Sequence, residues 1–383
     1  MNIDVDEDIK YMFTLRFIPT PNHDIGEVYK PNRPPKPKAS IGLSSGIDSH
    51  YLLHIIKSNP IFTNTDLQGI CIDFKDSRGP KESDVAQQLA DAYRIKLKKI
   101  VIDNPLKDLE TLISVVKEPR YNLYQYYLYK ESRDLLVTGD GADEFYLGYT
   151  FRYKKYLDHV YETNNWLDKV KLYLTCHEND WVKDQTKIFN KKFKWDLIYN
   201  YLRQYFVDLP EYGPASEDEE LYRLGPVIAA DMHNKLRFDF KPCNAKLAEY
   251  CNIDLVTPFI YPTTYIPLLT EMSNAEKYDY EENIGKIPLR KVVGRMDTIK
   301  RGFGFDLVGF WLRKGYDMFL KNINKDSFCW EYINKEWFIE HCDSKNIRYV
   351  NKFLQIYALE MYLKQLPEIQ ASEPIEIEVE TDK

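Results

Sequence analysis

The chain has 383 residues, 44% of them hydrophobic and 14% aromatic, which predicts about two or three domains with substantial cores. Its net charge of −7 argues against a nucleic acid as an electrostatic partner, and none of its six cysteines forms the Cys-x-x-Cys pattern of zinc or iron–sulfur sites. The sequence shows no apolar stretch of membrane-spanning length and no signal peptide, and single scattered cysteines fit reduced thiols. We therefore expect a cytoplasmic protein without a membrane partner.

Residues 1–38 are predicted to form an N-terminal extension. They begin acidic, carry one strand-like run at 11–18, and end in a proline-rich stretch at 31–38. Because proline favours extended backbone, this stretch is predicted to be a stiff linker.

Residues 39–150 alternate between short apolar runs and helical patterns. The runs typical of buried strands are residues 39–43, 69–74, 99–102 and 135–138. Helical patterns separate them, which predicts an α/β fold with a parallel sheet and helices on both faces. In such sheets, ligands bind beyond the carboxyl ends of the strands.

The loop after the first predicted strand, residues 43–49, reads LSSGIDS. A strand, a turn of small residues and a helix start form a cradle for a phosphate, because the first helical N–H groups have no intrahelical partner. Gly46 lets a phosphate approach the backbone, while Ser44 and Ser49 offer hydroxyl donors. Asp48 would repel a phosphate unless a divalent cation lies between them, which predicts a Mg²⁺ ligand. Taken alone, the segment also fits an ordinary strand–helix turn.

A second motif follows the fourth predicted strand, where residues 138–149 read TGDGADEFYLGY. Asp140 and Asp143 are predicted to face the same crevice as the first loop, since both loops leave carboxyl ends of parallel strands. Considered by itself, the segment would equally fit an acidic surface loop.

Residues 151–366 are predicted to be mainly helical and to complete the site, and the acidic residues 367–383 are predicted to be a flexible tail. Lys300 lies in this part, in the sequence IKRGFGF, where a solvated turn lysine is the alternative interpretation. His50 and His54 have the i, i+4 spacing of metal ligands. With no third ligand nearby in sequence, they are predicted to be surface or packing residues.

Three of these segments, in the same order, resemble those of a known family. Residues 44–49 resemble the SGGxDS pyrophosphate loop of the N-type ATP pyrophosphatases. Residues 138–149 resemble the SGDGGDELFAGY segment of class B asparagine synthetases, and residues 300–313 resemble their K-x-G-F-G-x-P-L-x-x-W-L element. Residues 15–19 resemble the connector that precedes the synthetase domain in that family. Joint context of this kind supports each motif more than its isolated match does.

The chain also departs from the family pattern. Ser45 stands where the loop usually has a glycine, and Asp306 stands where proline is usual. Val256 replaces an arginine of the substrate-binding segment, with Lys246 as the nearest basic residue earlier in that segment. The pair Glu118-Pro119 is a weak further match. These departures predict a changed substrate pocket and leave aspartate open as the substrate.

The resemblance implies a PP-loop core related to the adenine nucleotide alpha hydrolases, binding ATP and Mg²⁺. It implies Asp48 and Asp143 as metal ligands and Lys300 and Asp140 as catalytic residues. The nucleotide contacts that it implies are Leu43, Ser44, Ser45, Gly46, Asp48, Ser49, Thr138 and Gly139.

The activity implied is that of an AMP-forming carbon–nitrogen ligase. A carboxylate is activated as an acyl-AMP with release of pyrophosphate, and ammonia or an amine then attacks the acyl carbon. Asn2 stands where a glutaminase domain would have its cysteine, so we expect a synthetase domain without its own glutaminase. Free ammonia, a separate glutaminase and an amine co-substrate all stay open as nitrogen sources.

Other functions remain as alternatives. β-Lactam synthetases and lasso-peptide cyclases share the architecture and use an internal amine. A tRNA thiolase or lysidine-type ligase would act on a nucleic acid, against which the acidic charge argues. A catalytically inactive binding module is disfavoured because both carboxylates and Lys300 are present.

Overall fold

The computed structural model describes residues 38–59, 65–75, 81–177, 182, 184–192, 195–208, 219–261, 268–269, 271–296, 306–342 and 349–371. The predicted strand at 11–18, nearly all of the linker at 31–38, and Lys300 lie outside these ranges. Lys38 is already part of the first strand rather than of the N-terminal extension.

A five-stranded parallel sheet organises the fold, in the order β3-β2-β1-β4-β5. The strands are β1 Lys38–Gly42, β2 Asp66–Phe74, β3 Lys96–Ile102, β4 Leu135–Val137 and β5 Asp254–Val256. The central strands are apolar and buried because helices cover both faces of a parallel sheet. The α/β fold class predicted from the sequence is thus confirmed.

The side of the sheet on which successive strands are added changes at β1, while all five strands stay parallel. The chain proceeds from β1 outward through β2 to β3, and then crosses to the other side, where β4 pairs with β1 in the register Ile41↔Val137. The carboxyl ends of β1 and β4 therefore flank the switch point, where open parallel sheets hold their ligands. The loops at 43–49 and 138–149 both leave from this place.

Helices follow each of the first strands, as the sequence predicts. Those of the sheet region are α1 Ile47–Ser58, α2 Glu82–Ala92, α3 Leu109–Val116, α4 Gln125–Lys130 and the short α5 Ala142–Phe145. Leu53 of α1 and Ala86 of α2 pack with Ile41 of β1 in one apolar cluster. Tyr126 of α4 and Leu136 of β4 belong to another, so both faces of the sheet are covered.

The part after the fourth strand is mainly helical, which confirms that expectation. Its helices are α6 Thr150–Val160, α7 Trp166–Thr175, α8 Gln185–Ile188, α9 Trp195–Arg203, α10 Glu219–Tyr222, α11 Gly225–Ala230, α12 Lys241–Tyr250, α13 Asn274–Lys277, α14 Ile287–Val293, α15 Leu307–Phe310, α16 Tyr316–Asn322, α17 Lys335–His341 and α18 Val350–Ala371. A π-helical segment, Asp231–Phe240, joins α11 to α12. Strands β6 Tyr278–Asp279 and β7 Ile284–Gly285 form a small antiparallel ribbon just before α14.

Strand β5 corrects the expected division of the chain. It comes from the region predicted to be helical, yet it extends the sheet by pairing with β4 from Leu135↔Asp254 to Val137↔Val256. The sheet core is therefore not confined to residues 39–150. Three half-buried residues carry too little periodicity to be recognised as a strand, and the unpaired edge of β4 supplies the partner.

The last helix ends later than expected. It continues through Pro367 to Ala371, so the first residues of the predicted tail are helical and residues 372–383 lie outside the described ranges. Among the described residues, no helix combines the length and the apolar character needed to cross a bilayer. The six cysteines all lie within the described ranges, and none forms a disulfide.

Candidate active site

The loop between β1 and α1 presents the start of a helix to the carboxyl edge of the sheet. Gly46 precedes α1 with extended backbone (φ −72°, ψ 152°), and no side chain caps the helix there. The N–H of Leu43 donates to Ile70 O of β2 at 2.8 Å, which fixes the loop to the sheet. The positive end of the α1 dipole is thus directed at the switch point, as an anion site requires.

Hydroxyl groups within the loop hold two of its backbone N–H groups. Ser44 N–H donates to Ser49 Oγ at 3.1 Å, and Gly46 N–H donates to Ser44 Oγ at 3.1 Å. The N–H of Ser45, between them, donates instead to a carboxylate oxygen, Glu82 Oε2, at 2.8 Å. On the other side of the loop, Arg295 Nη1 donates to Ser45 O at 3.4 Å. The residues predicted to cradle phosphates thus form one compact turn.

The loop after β4 carries Asp140 in a half-buried position. Its Oδ2 accepts hydrogen bonds from Thr138 Oγ1 and from Asn244 Nδ2 of α12, both at 3.0 Å. Burial raises the pKa of Asp140, the two donors partly oppose this shift, and the neighbouring carboxylates Asp48 and Asp143 add to it. A carboxylate with a raised pKa and fixed donors suits a general base or an orienting group.

Asp48, in the first turn of α1, and Asp143, in the first turn of α5, converge on one cation. Lys286 Nζ, at the start of α14, lies 2.5 Å from Asp48 Oδ2 and 2.7 Å from Asp143 Oδ1. The lysine is only 5% exposed. The structure thus brings these two predicted metal ligands together at Lys286, which was not predicted as their common partner. Their role in metal binding stays a prediction.

Opposing effects set the charge of Lys286. Burial lowers its pKa, but the carboxylates of Asp143 and Asp48 more than offset this, so the pKa lies above the usual value for lysine. The lysine therefore stays charged and neutralises part of the negative charge of the two aspartates.

Two glycines make the convergence possible. A Cβ on Gly139 would lie 2.9 Å from Asp48 Cβ, so only glycine allows the two loops to touch. A Cβ on Gly148 would lie 1.9 Å from Asp143 Oδ1 and 2.2 Å from Lys286 Cε. The glycines of the second motif thus serve close approach rather than flexibility alone.

The same geometry bears on magnesium. Two carboxylates that bracket one ammonium show that a single cation fits between them, and carboxylate oxygen is the donor that Mg²⁺ prefers. The described residues contain no group of three or more His, Cys, Asp or Glu side chains arranged as a metal cage. Asp48 and Asp143 could hold Mg²⁺ together with phosphate oxygens of a substrate.

A network of polar side chains, in which Glu144 and Arg152 are buried, packs against the second loop. Tyr149 OH donates to Glu144 Oε1 at 2.6 Å, and Lys235 Nζ donates to Tyr149 OH at 2.9 Å. The Arg152 guanidinium stacks over the Tyr149 ring, 4.6 Å from its centroid. Because Glu144 is adjacent to Asp143, this network orients the helix turn that carries the candidate metal ligand.

Two positions that match the family weakly, Lys246 of the predicted substrate segment and Glu118, lie close together. Lys246 Nζ donates to Val116 O at 2.6 Å and lies 3.9 Å from Glu118 Oε1. Lys246 and Glu118 are therefore neighbours, and Lys246 is held by this contact. Val256, at the family arginine position, is the last residue of the edge strand β5 and supplies a carbonyl that accepts from Thr138 N–H at 2.9 Å.

The two histidines of α1 have a packing role, as expected. His50 Nε2 and His54 Nδ1 both contact Tyr93 OH, at 3.2 and 3.0 Å. Burial, with Arg295 and His54 nearby, lowers the pKa of His50 to about 4.

Sequence reasoning missed Lys286, Glu82 and Asn244. The sequence after Lys286, Ile-Pro, signals only the start of a helix and does not indicate a functional lysine. Neither Glu82 nor Asn244 stands in a motif. Lys300, the predicted catalytic lysine, lies outside the described residues, so its role stays a prediction.

A family model described as Asparagine synthase matches residues 37–236, more than half of the 383 residues. The chain belongs to the asparagine synthase family. The match covers both loops that meet at the candidate site, whereas Lys286 and Lys300 lie beyond it. No curated protein matches the chain.

Membership of the asparagine synthase family makes the chain an enzyme of the ATP-dependent ligase type, and the matched range is the synthetase domain. The turn at residues 44–49, which resembles a pyrophosphate loop in sequence, lies within the matched range. The uncapped start of α1, the two converging carboxylates and the buried lysine together form the candidate site.

Proposed function

We propose that the protein is an AMP-forming carbon–nitrogen ligase, which activates a carboxylate as an acyl-adenylate and transfers the acyl group to ammonia or an amine. The observation that carries the proposal is the meeting of Asp48 and Asp143 at one cation beside the uncapped start of α1. An anion cradle next to a cation site is the arrangement that a nucleoside triphosphate with Mg²⁺ requires.

Residues of both loops bind the phosphates and the metal ion. Ser44, Ser49 and the N–H groups of the turn bind the pyrophosphate end of ATP. Mg²⁺ held by Asp48 and Asp143 would neutralise charge on the phosphates as pyrophosphate leaves.

Three side chains act on the reacting groups. Lys286, charged and buried, stabilises negative charge close to the reacting phosphate, which is where a fixed cation lowers the barrier most. Asp140, held through Oδ2, orients or deprotonates the incoming nitrogen. Lys300 is expected to act on the α-phosphate and the acyl group.

Screening for pyrophosphate release tests the proposal. The full chain is incubated with ATP, Mg²⁺ and single amino acids or small carboxylates, each with ammonia, with glutamine and without a nitrogen source. We expect release with at least one carboxylate, formation of AMP in equal amount, and an amide product. Aspartate with ammonia giving asparagine is the simplest case. Because Val256 replaces the arginine of the family's substrate-binding segment, other carboxylates are screened with equal priority.

A variant pair ties any activity to the site. Asp143→Asn should lower the rate on the order of 10²-fold or more, the scale of losing one charge-stabilising group. Asp317→Asn, at an exposed position of α16, should leave the rate unchanged. Absence of pyrophosphate release from every mixture, or full turnover in Asp143→Asn, would contradict the proposal.

A further inference from the structure

A carboxylate from another element occupies the middle of the phosphate-binding turn. Glu82 Oε2 accepts the N–H of Ser45 at 2.8 Å, between the N–H groups of Ser44 and Gly46. Those two neighbours donate to the hydroxyls of Ser49 and Ser44, at 3.1 Å each. A hydroxyl can rotate and donate to an incoming phosphate, whereas a carboxylate is an acceptor only and carries the same sign of charge as the phosphate.

Glu82 is held in this position by the fold. It is the first residue of α2, and the next N–H along the chain, that of Ser83, donates to Asp73 Oδ1 at 3.1 Å. Asp73 is buried near the end of β2, which pairs with β1 in the register Gly42↔Ile70. The start of α2 is thus fixed beside the turn after β1. The Glu82 side chain reaches the turn from an anchored backbone.

We propose that Glu82 is an affinity-determining residue of the nucleotide site, because its carboxylate competes with a phosphate group of ATP for the Ser45 N–H. The inference rests on the proposed function, which places the triphosphate on this turn. The competition has two parts. A charge-assisted hydrogen bond must be broken before the phosphate gains that donor, and the displaced carboxylate remains close enough to repel it. ATP binds fully only to molecules in which Glu82 has released the turn, so the apparent affinity is the intrinsic affinity multiplied by that released fraction.

Calorimetric titration of the full chain with a non-hydrolysable ATP analogue and Mg²⁺ tests this inference without using turnover. Glu82→Ala removes the acceptor, and Glu82→Gln keeps an acceptor of similar shape but removes the charge. We expect the alanine variant to bind about tenfold tighter than the unchanged protein, the effect of losing roughly one charge-assisted hydrogen bond, with the glutamine variant between them. The matched control is Asp84→Asn, an exposed carboxylate in the same turn of α2, which should leave the affinity unchanged.

The outcomes separate this inference from the proposed function. If the unchanged protein binds the analogue and both folded Glu82 variants bind it equally or more weakly, the competition is refuted and the nucleotide site stands. If only the Glu82 variants bind the analogue, both are supported. If none of the proteins binds it, both are refuted. Far-ultraviolet circular dichroism and melting of each variant show that it is folded before it is titrated.

Discussion

Lys286 is the residue on which the charge balance of the candidate site depends. Carboxylates from α1 and α5, far apart in the sequence, lie 2.5 and 2.7 Å from its Nζ, and the lysine itself is nearly closed to water. Without a cation between them, the aspartates would repel each other at low local dielectric. The lysine therefore stabilises the site before any nucleotide or metal arrives.

Removing the charge of Lys286 should lower both stability and activity. In Lys286→Gln the two aspartates lose their common partner, and breaking a buried pair of this kind costs about 3 kcal/mol or more of unfolding free energy. We expect urea denaturation to show this loss in the absence of Mg²⁺, and partial recovery when Mg²⁺ is added. Pyrophosphate release should fall on the order of 10²-fold.

The control for this variant lies on the same helix. Lys291→Gln changes an exposed lysine of α14 and should leave the denaturation midpoint and the rate as they are. Equal midpoints for Lys286→Gln and Lys291→Gln would show that the buried pair contributes nothing to stability.

The pH dependence of the reaction should report on Asp140. Burial raises its pKa, so a base at this position becomes active only as the pH rises through a value above that of an ordinary aspartate. The hydrogen bond from Asn244 Nδ2 favours the charged form and opposes the shift. We therefore expect Asn244→Leu to move the acidic limb of the kcat/KM profile to higher pH. An unmoved limb would show that Asp140 does not titrate in the reaction.

At the scale of elements, the site depends on how closely two short segments approach each other. Lys286 N–H donates to Tyr146 O at 2.8 Å, and Lys286 itself has a left-handed backbone with φ 60°. A Cβ on Gly285 would lie 1.9 Å from Leu147 O. The ribbon β6–β7 and the turn after α5 are thus packed backbone to backbone, and this packing places Lys286 next to the two aspartates.

Enlarging the glycine that faces this contact should damage the site more than the fold. Gly148→Ala would place a methyl group against Asp143 Oδ1 and Lys286 Cε, so these groups must move apart. We expect pyrophosphate release to fall at least tenfold, because misplacement of a reacting group by about 1 Å can cost two orders of magnitude.

A glycine at the other end of α14 provides the comparison. Gly294 has φ +67°, and a Cβ added there would lie more than 4 Å from the atoms of the described residues around it. Gly294→Asn introduces a residue type that tolerates this left-handed conformation, so the variant should retain activity. If both variants lose activity equally, the loss would not be specific to the contact with Asp143.

Elements with a strong local pattern could be predicted, and those defined by distant partners could not. The apolar runs around Ile41 and Leu136 identified β1 and β4, and their loops identified Asp48 and Asp143. Strand β5 exists only because β4 offers an edge. Lys286 meets a partner 238 residues away in sequence, and nothing in its own neighbourhood shows this. The contacts of the site between residues distant in sequence could therefore be identified only from the structure.

At the scale of the whole molecule, a buried ion pair links the helical part to the candidate site. Arg152 Nη2 of α6 donates to both carboxylate oxygens of Asp231, at 2.8 and 2.9 Å. Tyr173 OH of α7 donates to Asp231 Oδ1 at 2.7 Å. His177 Nε2 lies 2.8 Å from Arg152 Nη2, and burial, with Arg152 next to it, keeps the pKa of His177 well below its usual value. The neutral ring can therefore accept a hydrogen bond from the guanidinium.

Breaking this pair should destabilise the whole fold. Asp231 is fully buried, so Asp231→Asn leaves the Arg152 charge without its counter-ion, at a cost of about 3–5 kcal/mol of unfolding free energy. Asp158→Asn, which alters an exposed carboxylate of α6 that accepts from Tyr280 OH, should cost only about 0.5 kcal/mol. Urea denaturation followed by circular dichroism measures both.

Replacing both partners, in Arg152→Met with Asp231→Leu, should recover part of the loss because no unpaired charge remains buried. Equal midpoints for Asp231→Asn and Asp158→Asn would show that the pair does not stabilise the helical part, and the support it gives to Tyr149 and the second loop would then have to come from packing alone.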